Sequence, residues 1–219
     1  MDLRLGKDDS QGTPWSVLAD LTITMVLVLV VYMVLMFLQT FRERAINAEL
    51  AKQQHAVRAH LMDSTAGRWQ IRVDSLTPDR QRITFSSEVL FDPCRAILKP
   101  EGLALLRTVG LVLQQEAPAF EAVQVEGHTD RRPIPAQGVD CPFPSNWELS
   151  SARATRVVTL LANERYLADT LLSAVGRAEF QPVDTTALDP NRRIELILLY
   201  SRTRVADQVL NQPRDPVRP

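Results

Sequence analysis

The sequence predicts an α+β protein in which one N-terminal transmembrane helix and a helical linker precede a domain with two helices packed on one β-sheet. Three observations predict this class. Residues 17–38 form a run of 22 residues without Lys, Arg or Glu. Residues 41–62 contain no Gly or Pro and are rich in helix formers. Strand and helix patterns then alternate from about residue 69 onward.

The apolar run is long enough to cross a bilayer. At about 1.5 Å of rise per residue, its 22 residues span roughly 33 Å. Thr13 and Pro14, just before it, match an N-cap and a first helical position. No small-x-small cleavage pattern follows the run, so we expect a permanent anchor. The predicted boundaries are 1–14 for a leader and 15–40 for the transmembrane helix.

Asp20 is the only residue with a formal charge in this run. A bare carboxylate at membrane depth costs at least about 2.5 kcal/mol on insertion scales. We therefore expect it to face protein or water, to be protonated, or to snorkel at the helix end without a function. Thr24, one turn further on the same face, either offers a hydroxyl to an ion or bonds back to its own helix. Basic residues after the run outnumber those before it, which mildly favours a cytoplasmic C-terminus.

Residues 41–66 are predicted to continue the helix outward as a linker. A 4-3-4-3 spacing relates five of its residues: Ile46, Leu50, Gln53, Val57 and His60. Such a seam could pair two copies in a dimeric coiled coil, and a solvated single helix is the alternative. Gly67 then breaks the pattern, so a domain is predicted over residues 67–202.

The predicted domain alternates strands and helices. Residues 71–73 and 83–85 show period-two patterning around a turn at residues 77–80. Pro100 opens a helix with one apolar face, and the next strand ends at Gly127. A capping box of Ser145 and Glu148 starts the second helix. A last strand runs to Tyr200, and the polar, Pro-rich residues 203–219 are predicted to be a flexible tail.

Charge and composition exclude several classes of function. The chain of 219 residues has a net charge of -1, so no nucleic-acid partner is implied. Cys94 and Cys141 lie too far apart in sequence for a zinc knuckle. His128 has no Ser or Cys nucleophile motif beside it, so we expect a structural rather than a catalytic histidine. We expect no enzyme activity, no metal site and no cofactor.

Three sequence motifs resemble those of the OmpA-like peptidoglycan-binding domain. They are VEGHTD at 125–130, SNWELSSARA at 145–154 and NRRIEL at 191–196, preceded by VLFDPCRAILKPEGLALL. The long insertion after GHTD makes the domain more similar to the MotB and ZorB branch than to OmpA or Pal. The segment PWSVLADLTITMVLVLVVYMVLM resembles the membrane helix of MotB-type stator subunits, where the Asp after Ala binds the transported ion.

The resemblance implies a binding site for the peptidoglycan stem peptide. Asp130 matches the family residue that takes the amine of diaminopimelate, and Arg153 matches the one that takes its carboxylate. From composition alone the two could equally form a salt bridge. Thr129 and Asn146 are expected to shape the pocket, although Asn146 could instead start the helix. Arg192 or Arg193 is expected to add a second cation, because strand alternation exposes only one of them.

The two cysteines are expected to pair. Cys94 follows a strand region and Cys141 lies in the insertion after GHTD, and we expect both segments at the same end of the sheet. A disulfide would pin the insertion near the ligand pocket, and two buried free thiols are the alternative. A distance above about 7 Å between their Cα atoms would exclude the bridge.

The resemblance also implies a function. It predicts the B subunit of an ion-driven inner-membrane motor or stator, ZorB-like in anti-phage defence or MotB-like in flagellar motility. Asp20 would carry protons, with sodium less favoured. Two copies would be surrounded by a MotA-, ZorA- or ExbB-like partner of five subunits. A wall-binding domain must be periplasmic, which overrides the charge count and places the N-terminus in the cytoplasm. The alternative is a passive envelope anchor similar to Pal or OmpA.

Overall fold

The computed structural model describes residues 14–65, 68–134 and 141–211. Contacts divide the chain into two compact units, residues 1–45 and 46–219. Two parts of the predictions lie outside the described residues. They are residues 1–13 of the predicted leader, which include the proposed N-cap Thr13, and residues 212–219 of the predicted tail.

Helix α1, Pro14–Thr65, joins the predicted transmembrane helix and the predicted linker without a break. Because no Gly or Pro follows Pro14 within it, nothing in its backbone chemistry interrupts the hydrogen-bond ladder. In the first unit, every side chain from residue 17 to residue 38 is exposed. Among the described residues, this is the one helix long and apolar enough to cross a membrane.

The last five turns of α1 belong to the second unit. Ile46, Leu50 and Val57 are buried in its hydrophobic core. Gln54 donates from its side-chain amide to the carbonyl oxygens of Thr77 (3.0 Å) and Pro78 (2.9 Å) in the first strand turn. The compact unit begins at Ile46, and three residues of the spacing considered for a coiled-coil seam, Ile46, Leu50 and Val57, pack within their own chain.

The sheet has five strands in the order β1-β2-β5-β3-β4. Their bounds are β1 Ile71–Thr77, β2 Arg80–Ser86, β3 Phe120–Gly127, β4 Leu172–Gly176 and β5 Arg193–Tyr200. All neighbouring strands are antiparallel except β3 and β4, which are parallel. The predicted turn at residues 77–80 is confirmed, because Thr77 pairs with Arg80.

Helices cover one face of this sheet. Their bounds are α2 Ser87–Leu90, α3 Pro100–Glu116, α4 Asn146–Asn163 and α5 Arg202–Asn211. Alternate side chains of the strands enter the core beneath α3 and α4: Ile83, Phe85, Val123, Val125, Leu196 and Leu198. The α+β prediction with one sheet under two helices is confirmed, and the last turns of α1 add to the helical layer.

Strand β4 and helices α2 and α5 were not predicted as separate elements. Strand β4 is short and only partly buried, so its alternation is weak in the sequence. Helix α5 occupies residues that we predicted to be a flexible tail. Its Val205 is 1% exposed and Arg204 donates to the carbonyl oxygen of Pro118 at 2.8 Å. Ala206 and Val209 also pack against the core, but three apolar side chains in one short polar segment are too little pattern to predict a helix.

A close approach of α4 to β3 positions the end of the strand that leads to Asp130. A Cβ added to Gly127 would lie 2.1 Å from the carbonyl oxygen of Ser150, so only glycine allows this contact. The residues that follow Gly127 are thereby held against the first turns of α4. Ser145 caps that helix by accepting a hydrogen bond from the backbone N–H of Trp147 at 3.2 Å.

Candidate functional site

A cavity of about 550 Å³ opens where β3 ends and α4 begins. We call it the Asp130 cavity. All five residues predicted for ligand binding line it: Thr129, Asp130, Asn146, Arg153 and Arg192. The cavity wall carries four cationic and two anionic side chains, which are Lys99, Arg132, Arg153, Arg192, Glu88 and Asp130. The charge balance favours a ligand with at least one anionic group.

Asp130 is a buried carboxylate held by two guanidinium groups. Arg132 donates from its backbone N–H to Oδ1 at 3.0 Å and from Nε and Nη2 to Oδ2 at 3.0 and 2.6 Å. Arg192 donates from Nη1 to Oδ2 at 2.8 Å. Burial alone would raise the pKa of Asp130, but these hydrogen bonds outweigh it and lower that pKa below its ordinary value. The group is therefore an anion at neutral pH.

Arg153 is a buried cation without a carboxylate. Its side chain is held by the carbonyl oxygens of Arg95 (Nε, 2.9 Å) and Asp92 (Nη2, 3.1 Å), and its guanidinium lies 5.4 Å from the ring centroid of Phe91. It forms no ion pair within 4.0 Å with any residue that the structure describes. Burial, together with the nearby positive charge of Arg192, lowers the pKa of Arg153 to about 10.

Two hydroxyl groups in the cavity wall lack a hydrogen-bond partner among the described protein groups. They are Oγ1 of Thr129 and Oγ of Ser87, and both atoms are buried. A buried polar group left unpaired costs about 1–3 kcal/mol, so proteins seldom tolerate it without a reason. Both hydroxyls are placed to bind a polar ligand in the cavity.

Asn146 joins the two walls of the cavity. As the first residue of α4 it starts the helix, and its side-chain amide donates to the carbonyl oxygens of Asp130 (3.3 Å) and Arg132 (3.1 Å). Asn146 therefore has both of the roles considered from the sequence: it starts the helix and it shapes the pocket. The hydrogen bonds fix the direction of the chain just after β3, where Asp130 lies.

The structure distinguishes Arg192 from Arg193. Arg192 lines the cavity and binds Asp189 (2.7 Å) and Glu88 as well as Asp130. Arg193 is buried on the opposite face of β5, where its Nε donates to Glu195 at 2.6 Å. Only one of the two can face the ligand, because successive strand residues point to opposite faces.

A disulfide joins Cys94, on the cavity wall, to Cys141. Their Cα atoms are 5.1 Å apart, within the range that a disulfide requires. Cys94 adopts a positive φ of 55° in the loop whose Asp92 and Arg95 carbonyls hold Arg153. The bridge therefore constrains the loop that positions the cationic side of the cavity.

His128 lies on the other face of the sheet, away from the cavity. Its side chain is 1% exposed, and Nε2 is 3.5 Å from Glu126 and 3.8 Å from Glu195. These three side chains have the spacing of a metal site. However, Arg177 already binds Glu126 at 2.7 Å and Arg193 binds Glu195, so the two cations oppose a divalent ion there.

Asp20 and Thr24 lie on the exposed part of α1. The Thr24 hydroxyl donates to the carbonyl oxygens of Asp20 (3.0 Å) and Leu21 (2.9 Å). It is therefore bonded back to its own helix, which was the alternative to an ion-binding role. Among the described groups, no hydroxyl of this turn is directed at the Asp20 carboxylate.

Among the residues of the cavity that the sequence did not predict are Ser87, Glu88 and Arg132. Ser87 and Glu88 follow β2, and nothing local indicates that this strand ends beside Asp130. Arg132 had a usable signal, since an Asp side chain commonly accepts from the backbone N–H two residues later. This backbone hydrogen bond holds Arg132 next to Asp130, where its guanidinium group also reaches the carboxylate.

Comparison with known proteins agrees with this geometry. Residues 90–195 match the OmpA family. The chain is 34% identical over 125 residues to the uncharacterized protein YtxE of Bacillus subtilis (strain 168), covering 55% of this chain and 49% of the relative. It is 30% identical over 128 residues to motility protein B of the same organism, covering 57% and 47%. The chain thus spans about half the length of these curated relatives.

A solved structure with a related fold is the cell wall anchor of the T6SS from Pseudomonas aeruginosa. It superposes with a TM-score of 0.56 and 29% identity, covering 65% of this chain and 96% of the other. The family match, residues 90–195, includes Asp130, Arg153 and Arg192 of the Asp130 cavity, whereas Ser87 and Glu88 of its wall lie before the match. Residues 90–195 therefore form an OmpA-like domain, and the chain is similar to motility protein B over 57% of its length.

Proposed function

We propose that the domain binds the stem peptide of peptidoglycan through a zwitterionic group, as in diaminopimelate. The ligand ammonium pairs with Asp130 and its carboxylate pairs with Arg153. One observation carries this proposal: Arg153 is buried in the wall of the cavity that Asp130 also lines, yet it has no ion-pair partner among the described residues. A buried unpaired cation destabilises a folded protein, so a ligand that supplies the anion explains why it is there.

The two unpartnered hydroxyls and the net cationic wall support the same ligand. Thr129 and Ser87 offer hydrogen bonds to the peptide, and a cavity of about 550 Å³ has the size of a small-molecule site. The similarity to a protein described as a cell wall anchor also favours this ligand.

Co-sedimentation with purified sacculi that contain diaminopimelate tests the proposal. The full chain in detergent should sediment with the sacculi, and free diaminopimelate should compete. Asp130→Ala and Arg153→Ala should each weaken retention about 10-fold or more, since each removes a charge-assisted contact. Asp74→Ala is the matched control, because Asp74 is a half-exposed carboxylate on β1 that pairs with Arg82 at 3.6 Å. Equal retention of all four proteins would contradict the proposal.

We also propose that residues 15–40 of α1 span the inner membrane and that the chain is the B subunit of a proton-driven motor or stator. Asp20, the single formal charge among residues 17–38, carries the proton. In this proposal two copies assemble with a MotA-like multi-helix partner, the N-terminus is cytoplasmic and the domain is periplasmic. Similarity to motility protein B supports this class. The work that the motor performs is either flagellar motility or, as in ZorB-like systems, anti-phage defence.

A passive envelope anchor is the second candidate, supported by the similarity to the T6SS cell wall anchor. The variant Asp20→Asn distinguishes a proton-driven motor from a passive anchor. Proton conductance is measured in inner-membrane vesicles from cells that carry the chain and its native partner. For a motor, Asp20→Asn abolishes conductance without lowering the amount of protein, while Asp20→Glu retains part of it. For a passive anchor, neither variant changes conductance, and the Asn variant only relieves a membrane cost.

A further inference from the structure

The two guanidinium groups on Asp130 differ in how firmly they are held. Arg192 has a side chain that is 20% exposed, and it also binds Glu88 and Asp189. The Arg132 side chain is 59% exposed, and Asp130 is its only ion-pair partner among the described residues. Arg192 is therefore a fixed part of the cavity floor, whereas Arg132 can leave Asp130 and enter water at a small cost.

Arg132 covers the carboxylate that a ligand would need. The Asp130 side chain is only 6% exposed, and its Oδ2 atom already accepts from Nε and Nη2 of Arg132 and from Nη1 of Arg192. The two lone pairs of Oδ2 are shared by these three donors, so an ammonium group that binds Oδ2 must displace one of them, whereas Oδ1 accepts only from the backbone N–H of Arg132. Of the two guanidinium groups, Arg132 is the one that can yield.

We propose that Arg132 is a built-in competitor for the ammonium-binding position of Asp130, and that it sets the affinity of the site for amine-bearing ligands. This inference rests on the proposed function of the same cavity. When the ligand binds, the Arg132 side chain leaves Oδ2, while its backbone N–H continues to donate to Oδ1 (3.0 Å). The carboxylate therefore keeps its orientation when the side chain is displaced. When no ligand is bound, Arg132 neutralises the charge of the Asp130 carboxylate. A ligand must therefore displace Arg132 to bind Asp130, which lowers the affinity for every amine-bearing ligand.

The charge of the surrounding wall supports this role. Lys99 pairs with Asp92 (3.6 Å) and is not near enough to take the place of Arg132 in an ion pair with Asp130 within 4.0 Å. Once Arg132 has left, Asp130 retains only Arg192 as a charged partner among the described residues. The vacated Oδ2 position then offers a single, directed contact to an ammonium group.

Titration of the full chain in detergent with the tripeptide L-Ala-γ-D-Glu-meso-diaminopimelate tests the inference. Arg132→Ala should bind the tripeptide about 3- to 10-fold more tightly than the wild type, because the partly exposed ion pair no longer competes. Arg132→Gln should change affinity in the same direction, since it removes the charge but keeps a long side chain. Arg131→Ala is the matched control, as Arg131 is exposed and does not line the cavity, and it should bind like the wild type.

The outcomes separate the two proposals. Tighter binding by both Arg132 variants supports the inference. If the wild type binds the tripeptide and the Arg132 variants bind it equally or more weakly, the inference is overturned and the proposed function stands. If neither the wild type nor the variants bind, both are overturned.

Discussion

Asp130 and Arg153 line the same cavity without forming an ion pair with each other. Asp130 is bound by Arg132 and Arg192, whereas the hydrogen bonds of Arg153 go to the carbonyl oxygens of Asp92 and Arg95. The salt bridge that composition alone allowed is therefore absent between these two residues. The cavity therefore holds an ionised carboxylate bound by Arg132 and Arg192 and a separate cation without a carboxylate, and these are the two kinds of charge that a zwitterionic ligand pairs with.

The first prediction concerns the cost of keeping Arg153 buried. Arg153→Met should raise the free energy of unfolding by about 1 kcal/mol, because relief from burying an unpaired cation exceeds the loss of two hydrogen bonds to carbonyl oxygens. In a thermal melt this corresponds to an increase of roughly 2–4 °C. The same variant should lose retention on sacculi. A lower melting temperature together with normal retention would contradict a ligand-binding role for Arg153.

The second prediction concerns pH. Burial opposes ionisation of Asp130, but hydrogen bonds from Arg132 and Arg192 lower its pKa below the ordinary value of 3.8. Its contribution to stability is therefore fully present above about pH 4 and is lost as the pH falls through the lower folded-state pKa. Urea unfolding from pH 3 to pH 8 should show this loss only at the acidic end. Asp130→Asn should remove that part of the acid dependence, and an unchanged acid profile would count against it.

The third prediction concerns the end of α1. Leu50 is fully buried, so Leu50→Ala should lower the free energy of unfolding of the second unit by about 2–4 kcal/mol. Lys52→Ala is the control, because the Lys52 side chain is 77% exposed and should leave stability unchanged. Urea unfolding measures both. If residues 46–65 were only a linker, Leu50→Ala would not affect the unfolding of the domain.

The fourth prediction concerns the disulfide. Cys94 and Cys141 are 47 residues apart, and closing a loop of this length restricts the unfolded chain by up to about 4 kcal/mol in the chain-entropy model. The double variant Cys94→Ser, Cys141→Ser should lose about 2–4 kcal/mol of stability. A reductant should shift the urea midpoint of the wild type and leave that of the double variant unchanged. A wild-type midpoint that does not respond to reductant would refute the prediction.

Much of the cavity could be predicted because its residues lie in short motifs. Asp130 follows a strand in VEGHTD, and Arg153 lies on the capped helix of SNWELSSARA, so each could be placed on its element from local sequence. Ser87 could not be predicted in this way. It belongs to the cavity only because β2 pairs with β5, whose start lies beside Asp130, and strand pairing over such a distance leaves no local signal.

The sequence by itself determined the apolar helix with its single Asp20, the order of most strands and helices, and the two charged residues of the candidate site. These follow from local periodicity, capping and motif residues, which depend on near neighbours in the chain. Only the tertiary structure decided that Arg192 and not Arg193 faces the cavity, and that Ile46, Leu50 and Val57 pack within their own chain. Periodicity shows that a face is buried, but the segment that covers it is set by long-range packing.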